Sequence, residues 1–183
     1  MFGLRKPHRV KHNSRRLSEI LAAHVKFVKR EPGGVRADLA GADLSRCDLR
    51  GVNLTDAILQ EATLDGSDLR QAKLTRANFS GAKMRRCDLR NTDMTEATLA
   101  AADLTEAQIS GVEMFRVNLS GATLHRANLR ATNFRYAVVD GADFRGADLN
   151  VAVLRETDWS QAKLDGADTA TAILKGPLPI HKQ

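Results

Sequence analysis

The chain has 183 residues, of which 43% are apolar and only 4% aromatic, and its formal charge is +6. That length suits one domain with a terminal extension, and the lack of any run of 18 apolar residues excludes a membrane-spanning helix. The charge is segregated: residues 1–36 carry a net +8 and residues 37–176 a net −3, so a mildly acidic body follows a basic front end.

Residues 1–13, MFGLRKPHRVKHN, show little apolar pattern and read as a solvated, mobile arm. The basic start lacks an apolar stretch and a small-residue cleavage site, so no secretory signal is expected. Arg5, Lys6, Arg9, Lys11, Arg15 and Arg16 form a basic arm, whose affinity for a nucleic acid should fall steeply with salt if phosphates are its target. The plainer reading is a solubilising tail.

Residues 14–36 read as a capping helix and a turn. Ser14 is placed as the N-cap of a helix from Arg15 to about Arg30. Leu17, Ile20, Leu21, His24 and Val28 fall on one face at helical spacing, with Val25 and Phe27 flanking. Lys26, Lys29 and Arg30 suit the negative end of the helix dipole, and Glu31-Pro32-Gly33-Gly34 stops it. The expectation is a lid in which Leu17, Ile20, Leu21 and Val28 cover Leu39, Leu44, Leu49 and Leu54, with His24 at its boundary.

From Ala37 to Gly176 the chain repeats every five residues without losing phase. A large apolar position, here called i, falls at 39, 44, 49 and so on to 174; a bulky apolar residue fills 27 of the 28, and Thr169 is the exception. Position i−2 is always small or β-branched, with 19 Ala among the 28. A period of five fits neither helix nor strand. Alternation holds from i−2 to i and then fails, so the chain must bend once per unit. Ten of the 13 glycines lie at i+2, and all four prolines lie outside the repeat. The first suits a turn with positive φ, and the second suits a ladder that needs every N–H.

The A(D/N)LXX pattern, as in ADLAG, ADLSR and CDLRG, resembles the pentapeptide-repeat family. The resemblance implies an all-β fold, a right-handed quadrilateral parallel β-helix with four pentapeptides per coil. On that geometry residues 37–176 make about seven coils, residues twenty apart stack, and residues 177–183 are a C-terminal tail. Cys47 and Cys87 fall in one column two coils apart, roughly 9–10 Å. That is beyond disulfide reach, which suits small core residues in a reducing cytoplasm.

No catalytic, cofactor or metal motif is present: there is no GxxxxGK[ST], GxGxxG, CxxC or HExxH, and the five His are scattered. The protein is therefore expected not to be an enzyme and to carry no cofactor. Two outer features stand out. One face should stack Asp48, Asp68, Asp88 and Asp148 beside Arg50, Arg70, Arg90 and Arg130, a solvated salt-bridge ladder. Another should expose Phe115, Arg116, Arg135, Tyr136, Val153, Arg155, Ile173 and Lys175, with Val151 at the corner. Apolar groups interleaved with Arg suit a protein partner.

The leading reading is a non-enzymatic scaffold that presents this rigid face to a macromolecular partner. Because Thr169 weakens the last coil, its open edge suggests a homodimer through the C-terminal coil. The resemblance also implies, for some relatives, mimicry of duplex DNA toward DNA gyrase or topoisomerase and protection from quinolones. That activity needs a strongly acidic rod, which a body of net −3 is not.

Overall fold

The computed structural model describes residues 3–174. Single-residue parallel bridges join positions twenty apart, beginning with Asp38↔Ile58, Asp43↔Thr63, Asp48↔Asp68 and Asn53↔Lys73. These four rows run down the chain to Asp143↔Lys163, Asp148↔Asp168 and Val153↔Ile173, so the body is a four-faced β-helix. Each rung uses both backbone groups of the outward i−1 residue. Ile58, for example, donates its N–H to the Ala37 carbonyl (3.0 Å) and accepts from the Leu39 N–H (2.8 Å).

At nearly every corner the N–H of an i−2 residue donates to the preceding i carbonyl, as in Ala42 to Leu39 (3.0 Å). The third residue of that four-residue turn is left-handed at every corner from 41 to 156. Eight of these residues are glycines, with φ from 64 to 68°, and sixteen carry side chains, with φ from 51 to 63°. Glycine is thus favoured at i+2 but not required. The coil's own hydrogen bonds hold Arg, Glu, Ala and even Val151 (φ 61°) in the left-handed region, at a local cost of about 1–2 kcal/mol each.

The Asp and Asn residues at i−1 have a structural task. Their side-chain oxygens accept from the backbone N–H two residues on, as in Asp38 to Ala40 (3.1 Å), Asn53 to Thr55 (3.0 Å) and Asn118 to Ser120 (3.0 Å). This Asx arrangement stabilises the turn it enters.

The bore is filled by side chains. Every i residue from Leu39 to Leu164 is buried, with Leu44, Leu64 and Leu104 at 0% exposure, whereas Thr169 is half-buried and Leu174 is 38% exposed. Polar i−2 residues bury their hydroxyls against carbonyls: Ser67 donates to Leu64 (2.7 Å), Thr92 to Leu89 (2.7 Å) and Thr132 to Ile109 (2.8 Å). Cys47 and Cys87 are free and buried; burial pushes their thiols up to about 11 and about 12.

Among the described residues regularity lapses where Trp159 takes an inward position. Its ring meets Phe134 edge to face (5.6 Å) and Phe144 at a tilt (5.1 Å), and its Nε1 donates to the Leu154 carbonyl (3.0 Å). Among the described residues no bridge joins Val138 to residue 158. Tyr136 and Gly141 donate to the carbonyls of Glu156 and Gln161, one residue later than the usual register. An indole needs more room than Val139 and Leu119 above it, and the backbone of residues 157–161 gives way. The Thr157 hydroxyl fills the breach, donating to the Phe134 carbonyl and accepting from the Ala137 N–H.

The N-terminal segment differs from expectation. Residues 5–16 lie against the solenoid instead of forming a mobile arm. Arg5 pairs with Cys47: its N–H donates to the Arg46 carbonyl (2.7 Å) and its carbonyl accepts from the Asp48 N–H (2.9 Å). The acidic first coil holds the segment, with Arg5 on Asp43 (3.2 Å) and Lys6 on Asp48 (2.6 Å). A short 3-10 turn, Pro7–Arg9, leads to a hairpin of β1 (Lys11–His12) and β2 (Arg15–Arg16). Ser14 is not a helix cap. With Asn13 it forms the two-residue turn of that hairpin, both at positive φ. Val10, unremarked in the sequence, enters the core.

Helix α1 (Leu17–Val28) is shorter than expected, with Arg16 at its N-cap and the Glu19 carboxylate accepting from the Arg16 N–H. Leu17 and Ile20 join the same core cluster as the first coil, Leu21 packs partly against it, and Val28 is half-exposed. His24 is fully buried rather than at the boundary. Its Nδ1 accepts the Ala37 N–H (3.0 Å), the first N–H of the repeat. The sharp exit is possible because Gly34 has no side chain; a Cβ there would collide with the Phe27 backbone.

Candidate partner-binding face

The fourth unit of each coil supplies one wall, whose outward bridge row reads Asn53, Lys73, Asp93, Glu113, Asn133, Val153, Ile173. Its first half is polar and its second turns apolar. Because i+1 and i+2 both point outward from the bend, this wall carries two further rows. One holds Phe115, Arg135 and Arg155; the other holds Arg116, Tyr136 and Glu156.

The wall brings together most of the residues expected on it. Phe115 and Tyr136 meet edge to face at 5.5 Å. Arg116 lies over the Phe115 ring (5.2 Å) and Arg135 over the Tyr136 ring (5.7 Å). Each guanidinium also meets an acid, Arg116 with Glu96 (3.7 Å) and Arg135 with Glu156 (2.8 Å). Hydrogen bonding to Arg135 holds the Glu156 carboxyl below its usual range. Burial instead raises that of Glu113, against the pull of the Phe115 N–H and the Asn133 amide. Arg135 is thereby held against the Tyr136 ring by its bond to Glu156, while Arg116 keeps the looser contact.

Around this cluster the surface is apolar. Tyr136 is 47% exposed, Val151 46% and Ile173 41%, while Val153 is half-buried and Arg155 exposed. Lys175 lies outside the described residues. Val138 (43% exposed) belongs to the same patch and was missed in the sequence. Its signal was legible: it is a valine at an outward i−1 position where the neighbouring coils place Asn118 and Asp158.

The opposite character appears on the third wall, where Asp48, Asp68 and Asp88 alternate with Arg50, Arg70 and Arg90 in bidentate pairs. Hydrogen bonds from Arg50 and then Lys6 hold the Asp48 carboxyl well below the usual carboxylate range. Of the basic-arm residues, Arg5 and Lys6 are engaged with the first coil, whereas Arg9, Lys11, Arg15 and Arg16 are exposed along the 3-10 turn and hairpin. Among the described residues no group of three His, Cys, Asp or Glu could hold a metal ion, and no helix is long and apolar enough to cross a membrane.

Among solved structures the chain is similar to HetL, a pentapeptide repeat protein involved in heterocyst differentiation regulation in the cyanobacterium Nostoc. The two share 29% identity over 76% of this chain and 84% of that one, with a TM-score of 0.39. It is similar to QnrB1, a plasmid-mediated fluoroquinolone resistance protein, at 19% identity over 78% and 92% of the two chains, with a TM-score of 0.48. A pentapeptide repeat protein of the Arabidopsis thaliana thylakoid lumen shares 30% identity over 59% and 72%, with a TM-score of 0.35. No curated protein matches the chain. The family model for pentapeptide repeats matches eight copies over residues 35–71, 72–111 and 113–150. With well over half of its length matched, the chain belongs to the pentapeptide-repeat family.

Proposed function

We propose that this protein is a non-enzymatic scaffold whose fourth wall, over coils four to seven, docks a macromolecular partner, most simply another protein. The observation that carries the reading is the contact cluster of Phe115, Arg116, Arg135 and Tyr136 beside exposed Val138 and Val151. Exposed apolar area of this kind costs solubility unless it is covered, and aromatic–Arg sets are the groups that dominate protein interfaces. Partial ordering adds to the case: Arg135 is already bonded to Glu156 beside the paired Phe115 and Tyr136 rings, so less side-chain entropy is lost on docking. The test is cross-linking and pull-down from an extract of the source cells, comparing the native chain with Arg135→Glu/Tyr136→Ala and with Asn78→Asp on the first wall. The same proteins retained by all three would sink the reading.

Leu174, at an inward position of the repeat yet 38% exposed, supports a homodimer through the C-terminal coil; a monomeric mass in analytical ultracentrifugation would remove it. DNA mimicry toward gyrase has less support, because Arg50, Arg70 and Arg90 neutralise the row of Asp48, Asp68 and Asp88. An unaltered supercoiling assay at high protein concentration would exclude it. Nucleic-acid binding would fall to Arg9, Lys11, Arg15 and Arg16, and the salt dependence of oligonucleotide binding checks that. Two buried free thiols suit a reducing compartment, and we place the protein in the cytoplasm.

A further inference from the structure

We propose that Arg50, Arg70 and Arg90, on the third wall, form a binding site for a short phosphate chain. Every guanidinium in this row has two usable edges, and the fold has assigned one of them. Arg50 donates Nε and Nη2 to Asp48 (both 2.8 Å), Arg70 to Asp68 (2.9 and 2.7 Å) and Arg90 to Asp88 (2.9 and 2.7 Å). The rungs interlock, since Arg50 Nε also lies 3.6 Å from Asp68 and Arg70 Nε 3.5 Å from Asp88. The carboxylates sit behind, with side chains 10–23% exposed, and the arginines in front, at 40–51%.

The outward Nη1–Nη2 edge of each guanidinium therefore stays available, and it is the edge that takes a second oxyanion bidentately. Three such edges follow one another at the coil repeat, about 4.8 Å. They open on one groove of about 290 Å³, whose other lining residues are Gln71 and Asn91 with their amide donors. Lys6, held on the same Asp48 (2.6 Å), adds a fourth cation to three carboxylates at the N-terminal end. A row of three guanidinium edges one coil apart matches the successive oxyanions of a short phosphate chain. The row ends where Ser110 replaces arginine, and Arg130 beyond it has turned its Nη1 to Asp148 (3.3 Å). Because the aspartates hold the guanidiniums in place before any ligand arrives, binding orders little.

Sodium tripolyphosphate is the probe, titrated into the full chain at low salt by calorimetry, with ¹⁵N spectra following the Gln71 and Asn91 side-chain amides. Saturable binding that shifts both amides is expected. Arg70→Lys keeps the charge opposite Asp68 but not the second edge, and should weaken binding roughly tenfold with an unchanged melting temperature. Arg145→Gln removes a similarly paired arginine on the second wall and should leave the affinity unchanged. No saturable heat at millimolar probe, equal affinity for Arg70→Lys, or an equal loss in Arg145→Gln would overturn the site. Tighter binding of a single-stranded oligonucleotide than of tripolyphosphate would overturn the ligand class.

Discussion

Leu104→Ala is the sharpest test of a solid bore. Leu104 is fully buried, stacked in one file between Met84 and Leu124, both also at 0% exposure. A leucine-to-alanine change in a core costs about 2–5 kcal/mol, more where the cavity cannot collapse. Here it cannot collapse easily. The backbone beside it is tied on both sides, with Leu104 N–H donating to the Thr123 carbonyl (2.7 Å) and Met84 N–H to the Asp103 carbonyl (2.7 Å). A loss of about 3–5 kcal/mol is expected. Leu164→Ala makes the comparison. That leucine is 7% exposed, next to the half-buried Thr169 in the least regular coil, so the loss should be about 2 kcal/mol. The assay is urea unfolding followed by circular dichroism, with the slope compared between variants to check that the cooperative unit has not changed. Equal losses at the two positions, or a loss below about 1 kcal/mol at Leu104, would refute a close-packed and mechanically tied bore.

Three further outcomes follow from the geometry. His24 must be neutral to accept the Ala37 N–H, and burial lowers its affinity for a proton from the ordinary 6.5 despite the opposing pull of the Thr55 carbonyl and Asp56. The unfolded chain then takes up that proton first, so stability is full above pH 6.5 and declines as the pH falls below it. His24→Asn, which offers an acceptor that does not titrate, should flatten the pH dependence between 5 and 7 of hydrogen exchange at Ala37; an unchanged slope contradicts the assignment. The single tryptophan, Trp159, is buried beside the register slip, so its fluorescence should report unfolding at lower urea than circular dichroism does, as expected of a solenoid that frays from a weak end. Coincident transitions would argue otherwise. Val151, β-branched, left-handed and 46% exposed, should gain about 0.5–1 kcal/mol on replacement by Asn, which tolerates that conformation, measured as a rise in melting temperature.

The five-residue period was enough to specify the body. Its one bulky apolar residue per unit has a single way to be buried continuously, and each repeat confirms the phase of the last. That redundancy also made the outer rows legible, so Phe115, Arg135, Tyr136 and Val151 could be placed on shared surfaces by counting in fives. Local signals misled where no repetition corrected them. Ser14 carries the chemistry of a helix cap, yet hairpin pairing between Lys11–His12 and Arg15–Arg16 claims it for a turn. Arg5 and Lys6 look like solvated charges until the first coil supplies Asp43 and Asp48 at the right height. His24, Val10 and the slip at Trp159 depend on what lies opposite them in space, and that is decided only when helix, hairpin and coil close on one another. The sequence by itself determined a plugged rod and the order of its rows. The tertiary structure decided which polar groups are spent holding the rod together and which remain free for a ligand, because that division is settled by distances between side chains twenty residues apart.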